Sequence, residues 1–265
     1  MDTIIIAIGS VTAIGLICPI VLAAASKVMA VAVDERVARL REALPGVNCG
    51  ACGFSGCDSY AAALIDENAA PYLCTPGGDE VSKQIDLLLG KSPGGGVIKR
   101  TAVVHCSGDY DTNRPTTNYE GLRTCAASKT VQGGQGACIY GCAGFGDCAG
   151  VCPVDAICIE NGLARVDPRK CGGCGLCAKT CPNGIITIEI SSIAVTMKCA
   201  NTEKGARMKD KCKKGCIGCT RCAKGCPSGA ITVSDSLARI DNSKCTGCSM
   251  CYKTCPRGCL VSLGQ

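Results

Sequence analysis

The pattern of apolar and polar positions opens with an uncharged run. From Thr3 to Ser26 no residue carries a charge. As a helix this run reaches about 36 Å, enough to cross a hydrocarbon core of about 30 Å. Asp2 precedes it, and Lys27, Arg36, Arg39 and Arg41 follow. That bias predicts an N-terminus outside and the bulk of the chain in the cytoplasm. Ala23, Ala24 and Ala25 resemble a cleavage site, but the segment lacks a basic start and exceeds a usual signal core. A retained single-pass anchor over residues 1–33 is therefore expected. Asp34 to Leu44 then reads as a short helix with Asp34 as N-cap and Pro45 closing it. Much later, Ala230-Ile-Thr-Val and Leu237-Ala-Arg-Ile read as two short strands around a polar turn. Leu163-Ala-Arg-Val-Asp is an upstream repeat of Leu237-Ala-Arg-Ile-Asp, with Asn161-Gly162 as its hairpin turn.

The cysteines change the picture most. There are 27 in 265 residues, a density that admits a disulfide scaffold or a metal-cluster protein. They come in tight runs, better placed to hold one metal site than to pair across a fold. With two Phe, six Tyr, no Trp and 34 Gly, a large aromatic core is out of reach, and clusters can act as staples instead. The formal charge of +6 counts every Cys as neutral. Five 4Fe–4S clusters, each about −2 with its four thiolates, move the total to roughly −4. The basic pI is thus no nucleic-acid signal, and basic residues do not interleave with aromatics as such a surface needs.

Three groups of ligands follow from spacing. Cys49-x2-Cys52-x4-Cys57 lies in a glycine-rich loop running into an apolar helix, and Cys74 returns beyond that helix. Zinc usually takes paired C-x2-C knuckles, so this spacing favours a 4Fe–4S cluster. Gly50, Gly53 and Gly56 let the backbone wrap it. Cys216-x2-Cys219-x2-Cys222-x3-Cys226-Pro227 and Cys245-x2-Cys248-x2-Cys251-x3-Cys255-Pro256 form the bacterial two-cluster pattern, in which each fourth Cys ligates the other cluster. One cluster then takes Cys216, Cys219, Cys222 and Cys255. The other takes Cys245, Cys248, Cys251 and Cys226. The same unit recurs upstream in one unbroken register, Cys142 falling on Cys216 and Cys181 on Cys255, which marks an internal duplication. There Cys219 corresponds to Phe145, so a ligand is lost. Cys138, just before Cys142, is the expected replacement, with a three-iron cluster as the alternative. The upstream sets become Cys138, Cys142, Cys148 with Cys181, and Cys171, Cys174, Cys177 with Cys152.

Seven cysteines remain. Cys18 lies in the anchor, and Cys158 and Cys259 follow strand-like positions. The same register pairs Cys125 with Cys199 and Cys138 with Cys212. Cys106, Cys125, Cys199 and Cys212 are structural thiols or ligands of a further site. His105, the sole His, is expected to be accommodated by the fold. No nicotinamide or flavin fingerprint is present, and Gly90-Lys91-Ser92 lacks the glycine a phosphate loop needs, with Ile85 in its place. The chain offers no catalytic dyad. A cluster carries the redox chemistry while the protein sets potential and spacing.

The anchor, the Cys49–Cys74 domain and the tandem ferredoxin units together resemble the B subunit of Rnf (Rsx) complexes. The first domain is also similar to one in corrinoid iron–sulfur proteins. Cys138-Ile-Tyr-Gly-Cys142-Ala-Gly-Phe-Gly-Asp-Cys148 looks like that family's first ferredoxin unit, including the missing Cys. The resemblance covers almost the whole chain. It implies an α+β protein: anchor 1–33, 4Fe–4S domain 34–95, connecting segment 96–137, and ferredoxin-like units 138–190 and 191–265. It implies a bacterial inner-membrane complex, with the clusters on the cytoplasmic side, that oxidises reduced ferredoxin and reduces NAD with Na⁺ or H⁺ translocation. The partners would be the other subunits and soluble ferredoxin, with NAD and flavin sites elsewhere. Hydrogenase or formate dehydrogenase subunits are a less apt comparison, because of the Cys49–Cys74 domain. Such ferredoxins are acidic, and the seven basic residues from Lys198 to Lys214 face only Glu203 and Asp210, a candidate docking patch.

Overall fold

The uncharged run forms one helix, α1 (Asp2–Val28, 27 residues), in the computed structural model, which describes residues 2–28, 34–92, 96–131, 133–191 and 194–262. Leu16, Ile17, Ile20 and Leu22 on it are all more than half exposed. Its described side chains are contiguous only from Gly15 to Ala25, and among the described residues no helix is long and apolar enough to cross a membrane. Of the anchor expected over 1–33, residues 1 and 29–33 lie outside the described residues; the role of the helix as a span is taken up below.

A three-helix domain follows. In α2 (Glu35–Ala43), the Asp34 carboxylate accepts from Arg36 N at 2.9 Å, the N-cap expected from the sequence. With α3 (Cys57–Asp66) and α4 (Gly78–Leu88) it closes a small core of Leu40, Leu44, Tyr60, Leu64 and Ile85. Lys91 is drawn to Asn68 Oδ1 at 2.7 Å, a surface tie with no phosphate-loop geometry.

The rest is one unit built twice. The first copy holds β1 (Arg100–Val104), α5 (Cys125–Thr130), α6 (Asp147–Gly150), β2 (Ile157–Glu160), β3 (Leu163–Val166), α7 (Leu176–Thr180) and β4 (Ile186–Ile190). The second holds β5 (Val195–Met197), α8 (Gly205–Lys211), α9 (Arg221–Lys224), β6 (Ile231–Ser234), β7 (Leu237–Ile240), α10 (Met250–Thr254) and β8 (Leu260–Ser262). Each copy has a hairpin, β2–β3 or β6–β7, and a two-stranded ladder joining its ends, β1–β4 or β5–β8; all are antiparallel. Asn161 and Gly162 both have positive φ (48° and 74°), as the tight hairpin turn requires. Apolar faces of ladder and hairpin meet: Val104, Ile157, Ala164 and Ile186 in the first copy, Met197, Ile231, Ala238 and Leu260 in the second.

The pairing registers correct two expectations. Residues 96–137, read as a connection, supply β1 to the first unit's ladder and α5 to its surface. The hairpins keep the register of the sequence repeat, Ile157↔Val166 falling on Ile231↔Ile240. The ladders do not. That register would carry Val104 onto Ala178 of α7, whereas Val104 pairs with Ile186 and its equivalent Met197 pairs with Leu260. The difference is an insertion in the first copy, between β1 and the first cysteine run. Cys106 therefore matches Cys199, each two places past its strand, and Cys125 has no counterpart.

Candidate metal centres

All 27 cysteines carry free thiols. They frame small spaces and do not converge on points: among the described residues no three Cys, His, Asp or Glu are placed to hold one metal ion. A mononuclear site wants ligands within about 2.3 Å of a centre, whereas a cubane with iron at its corners needs thiols set wider apart. The donor set is uniformly sulfur, which suits iron–sulfur clusters.

In the first domain, Asn48 (φ 49°) and Gly50 (φ 70°) turn the ligand loop, and Asn48 Oδ1 accepts from Cys57 N at 2.8 Å to start α3. Cys74 is buried below that loop. Burial pushes its thiol up to about 11, with Cys57, Cys52 and Cys49 close enough to add to the shift. The loop docks on the first ferredoxin unit, where Lys179 Nζ donates to Cys49 O at 3.3 Å. Cys174, whose thiol is raised chiefly by burial, senses Cys49 as well as Cys152 and Cys171.

In the second unit, Cys216, Cys219, Cys222 and Cys255 line one common space. This grouping is the crossed one, three from one run and the fourth from the other. The remaining group is held by α10, where Cys251 lies near Cys245 and Cys226. Cys259, expected only to pack, is 1% exposed and also lines the first space. Its S–H donates to Lys214 O at 3.1 Å, and its side chain is the main cause of the lowered thiols of Cys216, to about 6, and Cys255, to about 5.

In the first unit, Cys142, Cys148 and Cys181 line a matching space. The fourth thiol there is Cys125, not Cys138. The physical reason is the insertion. Its Tyr119 packs edge-on against Phe145, centroids 5.7 Å apart, and α5 then delivers Cys125. Asp147 fixes that delivery, accepting from Cys125 N at 2.9 Å and Ala126 N at 3.2 Å. Sequence reasoning missed Cys125 because it held one register throughout; the parallel between Val104-His105-Cys106 and Met197-Lys198-Cys199 was the available signal. Cys177, buried and raised to about 11, lies with Cys171, Cys174 and Cys152 as expected.

Cys138 lies instead on a third space, with Cys106, Cys199 and Cys212. Cys18 and Cys158 are exposed. Backbone N–H groups aim at several sulfurs, Ala102 N at Cys171 (3.4 Å), Ala156 N at Cys152 (3.3 Å) and Cys259 N at Cys255 (3.4 Å). Such donors stabilise thiolate charge and raise cluster potential.

Comparison with known proteins finds iron–sulfur families at three places along the chain. An Fe-S cluster family matches residues 44–76, a 4Fe-4S binding domain 164–187 and a 4Fe-4S dicluster domain 215–259. The B subunit of the Na(+)-translocating ferredoxin:NAD(+) oxidoreductase complex of Acetobacterium woodii is 40% identical over 206 residues, 77% of this chain but only 62% of that one. The proton-translocating counterpart from Clostridium ljungdahlii is 41% identical over 245 residues, 92% of this chain and 86% of its own. The B subunit of the ion-translocating oxidoreductase complex of Methanosarcina acetivorans is 36% identical over 232 residues, 87% and 88% of the two chains. Similar to two such relatives over nearly their full length, the chain belongs to the B-subunit family of Rnf-type ion-translocating oxidoreductase complexes.

Proposed function

We propose that the chain is a membrane-anchored electron carrier that takes electrons from reduced ferredoxin and hands them into an Rnf-type complex coupling NAD reduction to Na⁺ or H⁺ movement. The observation that carries this reading is the succession of thiol groups, side by side from the first domain through the first ferredoxin unit. Cys49 of the first domain is near Cys174. Cys148 feels both Cys177 of its neighbour and its own partners Cys142, Cys125 and Cys181. Each 4Fe–4S cluster, when bound, takes up and releases one electron. The residues that would hold five of them are Cys49, Cys52, Cys57 and Cys74; Cys152, Cys171, Cys174 and Cys177; Cys125, Cys142, Cys148 and Cys181; Cys216, Cys219, Cys222 and Cys255; and Cys226, Cys245, Cys248 and Cys251. The protein buries Cys74, Cys125, Cys148, Cys177, Cys222 and Cys251, leaves Cys219 and Cys248 exposed, and supplies N–H donors to the sulfurs of Cys152, Cys171 and Cys255.

Anchorage rests on α1. Its 27 helical residues give about 40 Å of length, and its sequence is uncharged from Thr3 to Ser26. Basic residues on the far side favour clusters facing the cytoplasm of a bacterial inner membrane. The test is anaerobic reconstitution of the full chain in detergent. A brown protein with at least twenty irons per chain, about four per set, that reduced ferredoxin bleaches supports the reading. A colourless zinc protein overturns it.

A further inference from the structure

Four cysteines stand outside those five sets: Cys106, Cys138, Cys199 and Cys212. They line one common space, as the assigned sets do. We propose that they hold a sixth 4Fe–4S cluster, seated between the two ferredoxin units and shared equally by them. The proposal rests on the five-cluster reading above.

The first argument is symmetry. Cys106 and Cys199 each follow the ladder strand by two places, after Val104 and Met197, which pair with Ile186 and Leu260. Cys138 and Cys212 each stand the same short distance before the first run cysteine, Cys142 or Cys216. Each copy thus contributes one matching pair, and the insertion lies between the members of the first pair without displacing either. Unrelated packing thiols have no reason to converge from both copies onto a common space.

The second argument is the surroundings of the sulfurs. Cys142 N points at Cys106 Sγ (3.4 Å) and Cys216 N at Cys199 Sγ (3.3 Å). These are the N–H···S contacts seen at the assigned ligands, and they suit a thiolate far better than a thiol. The walls are close and ordered. Asn113 is 5% exposed, and its Oδ1 accepts from Cys138 N at 3.0 Å. A Cβ at Gly108 would sit 3.1 Å from Cys212 Sγ. Met208 closes one side, fully buried.

The third argument is that both units are tied across this space. Lys213 N donates to Thr112 O at 2.9 Å, Lys214 pairs with Asp109 at 3.6 Å, and His105 Nδ1–H donates to Met197 O at 2.6 Å. The thiols are unbridged, and no three of them are set to grip one ion, which favours a cluster over zinc. Cys142 and Cys216 belong to the inner set of each unit, so an occupant here lies against both.

Anaerobic native mass spectrometry of the full chain in detergent, with acid-labile sulfide as a second count, tests this. Six clusters in the wild type and five in Cys138→Ser/Cys212→Ser are expected. The double variant should keep its other five, which also shows that it folds. Five clusters in both proteins, six in both, or a single bound ion in place of the sixth cluster overturns the proposal while leaving the five-cluster reading intact. A wild type with fewer than five, or a Cys219→Ser variant whose cluster mass is unchanged, overturns the reading beneath it instead.

Discussion

Cys125 offers the sharpest check on how the first unit is built. Cys125→Ala removes the fourth thiol from the space shared with Cys142, Cys148 and Cys181. It should lose one cluster, about four irons and four sulfides per chain, or one iron if a three-iron form survives. Adding Phe145→Cys gives the first copy the ligand spacing of the second and should restore the count. The rescue has a cost that can be bounded. Losing the edge-on contact of Phe145 with Tyr119 is worth about 0.5–1.5 kcal/mol, and truncating a half-buried ring about 1–2 kcal/mol more. A structural metal site contributes on the order of 10 kcal/mol to folding, so regained ligation outweighs the lost packing. Anaerobic iron and sulfide analysis with electron paramagnetic resonance distinguishes four-iron, three-iron and empty states. A full complement in Cys125→Ala refutes the assignment.

Other expectations concern turns, pH and docking. Gly218 has φ +65°, and a Cβ there would lie 2.9 Å from Ser236 Cα; Gly218→Ala should destabilise the second unit by about 1–2 kcal/mol from the left-handed backbone alone, seen as faster bleaching on warming. The hydrogen bond from His105 is the main reason the Glu189 carboxyl is held below its ordinary value, against an opposing effect of burial. A lowered folded pKa means stability that is full above about pH 4.3 and lost as pH falls through the folded value; Glu189→Gln should remove that slope from anaerobic bleaching rates below about pH 5. Of the seven basic residues from Lys198 to Lys214, Lys211 is engaged by Glu203 at 2.8 Å and Lys214 by Asp109 at 3.6 Å, while Lys204, Arg207, Lys209 and Lys213 are exposed. Reduction by an acidic ferredoxin should therefore slow with salt as the Debye length falls below about 10 Å, and changing those four to Gln should flatten the dependence; an unchanged slope would place docking elsewhere.

Ligand runs were legible because their chemistry is local. Cys216 to Cys226 and Cys245 to Cys255 fix two sets through spacing alone, and the Asn161-Gly162 turn and the Asp34 cap are likewise decided by neighbours. What escaped was everything set by pairing across the fold. That β1 belongs to the first unit depends on its ladder with β4, a partner at the opposite end of the unit, joined at Val104↔Ile186. Once that register is known, Cys106 aligns with Cys199, and Cys138 leaves the set it was expected to join. Cys125 arrives on an insertion with no second copy to compare. Its position is held by Asp147, inside the run between Cys142 and Cys148, and by an aromatic contact, neither of which a spacing rule can reveal.

The two ends of the molecule are unequally covered. At one, the ladder β1–β4 has five pairs and the helical domain lies over Cys174. At the other, Cys248 is exposed, and Met250 and Tyr252 on α10 are 47% and 46% exposed. Thinly covered segments open at lower free energy than covered ones. Oxygen damage should accordingly be directional, eroding the α10 end first and leaving the covered half loaded, so that a partly oxidised preparation would hold a shortened carrier in place of a uniformly depleted one.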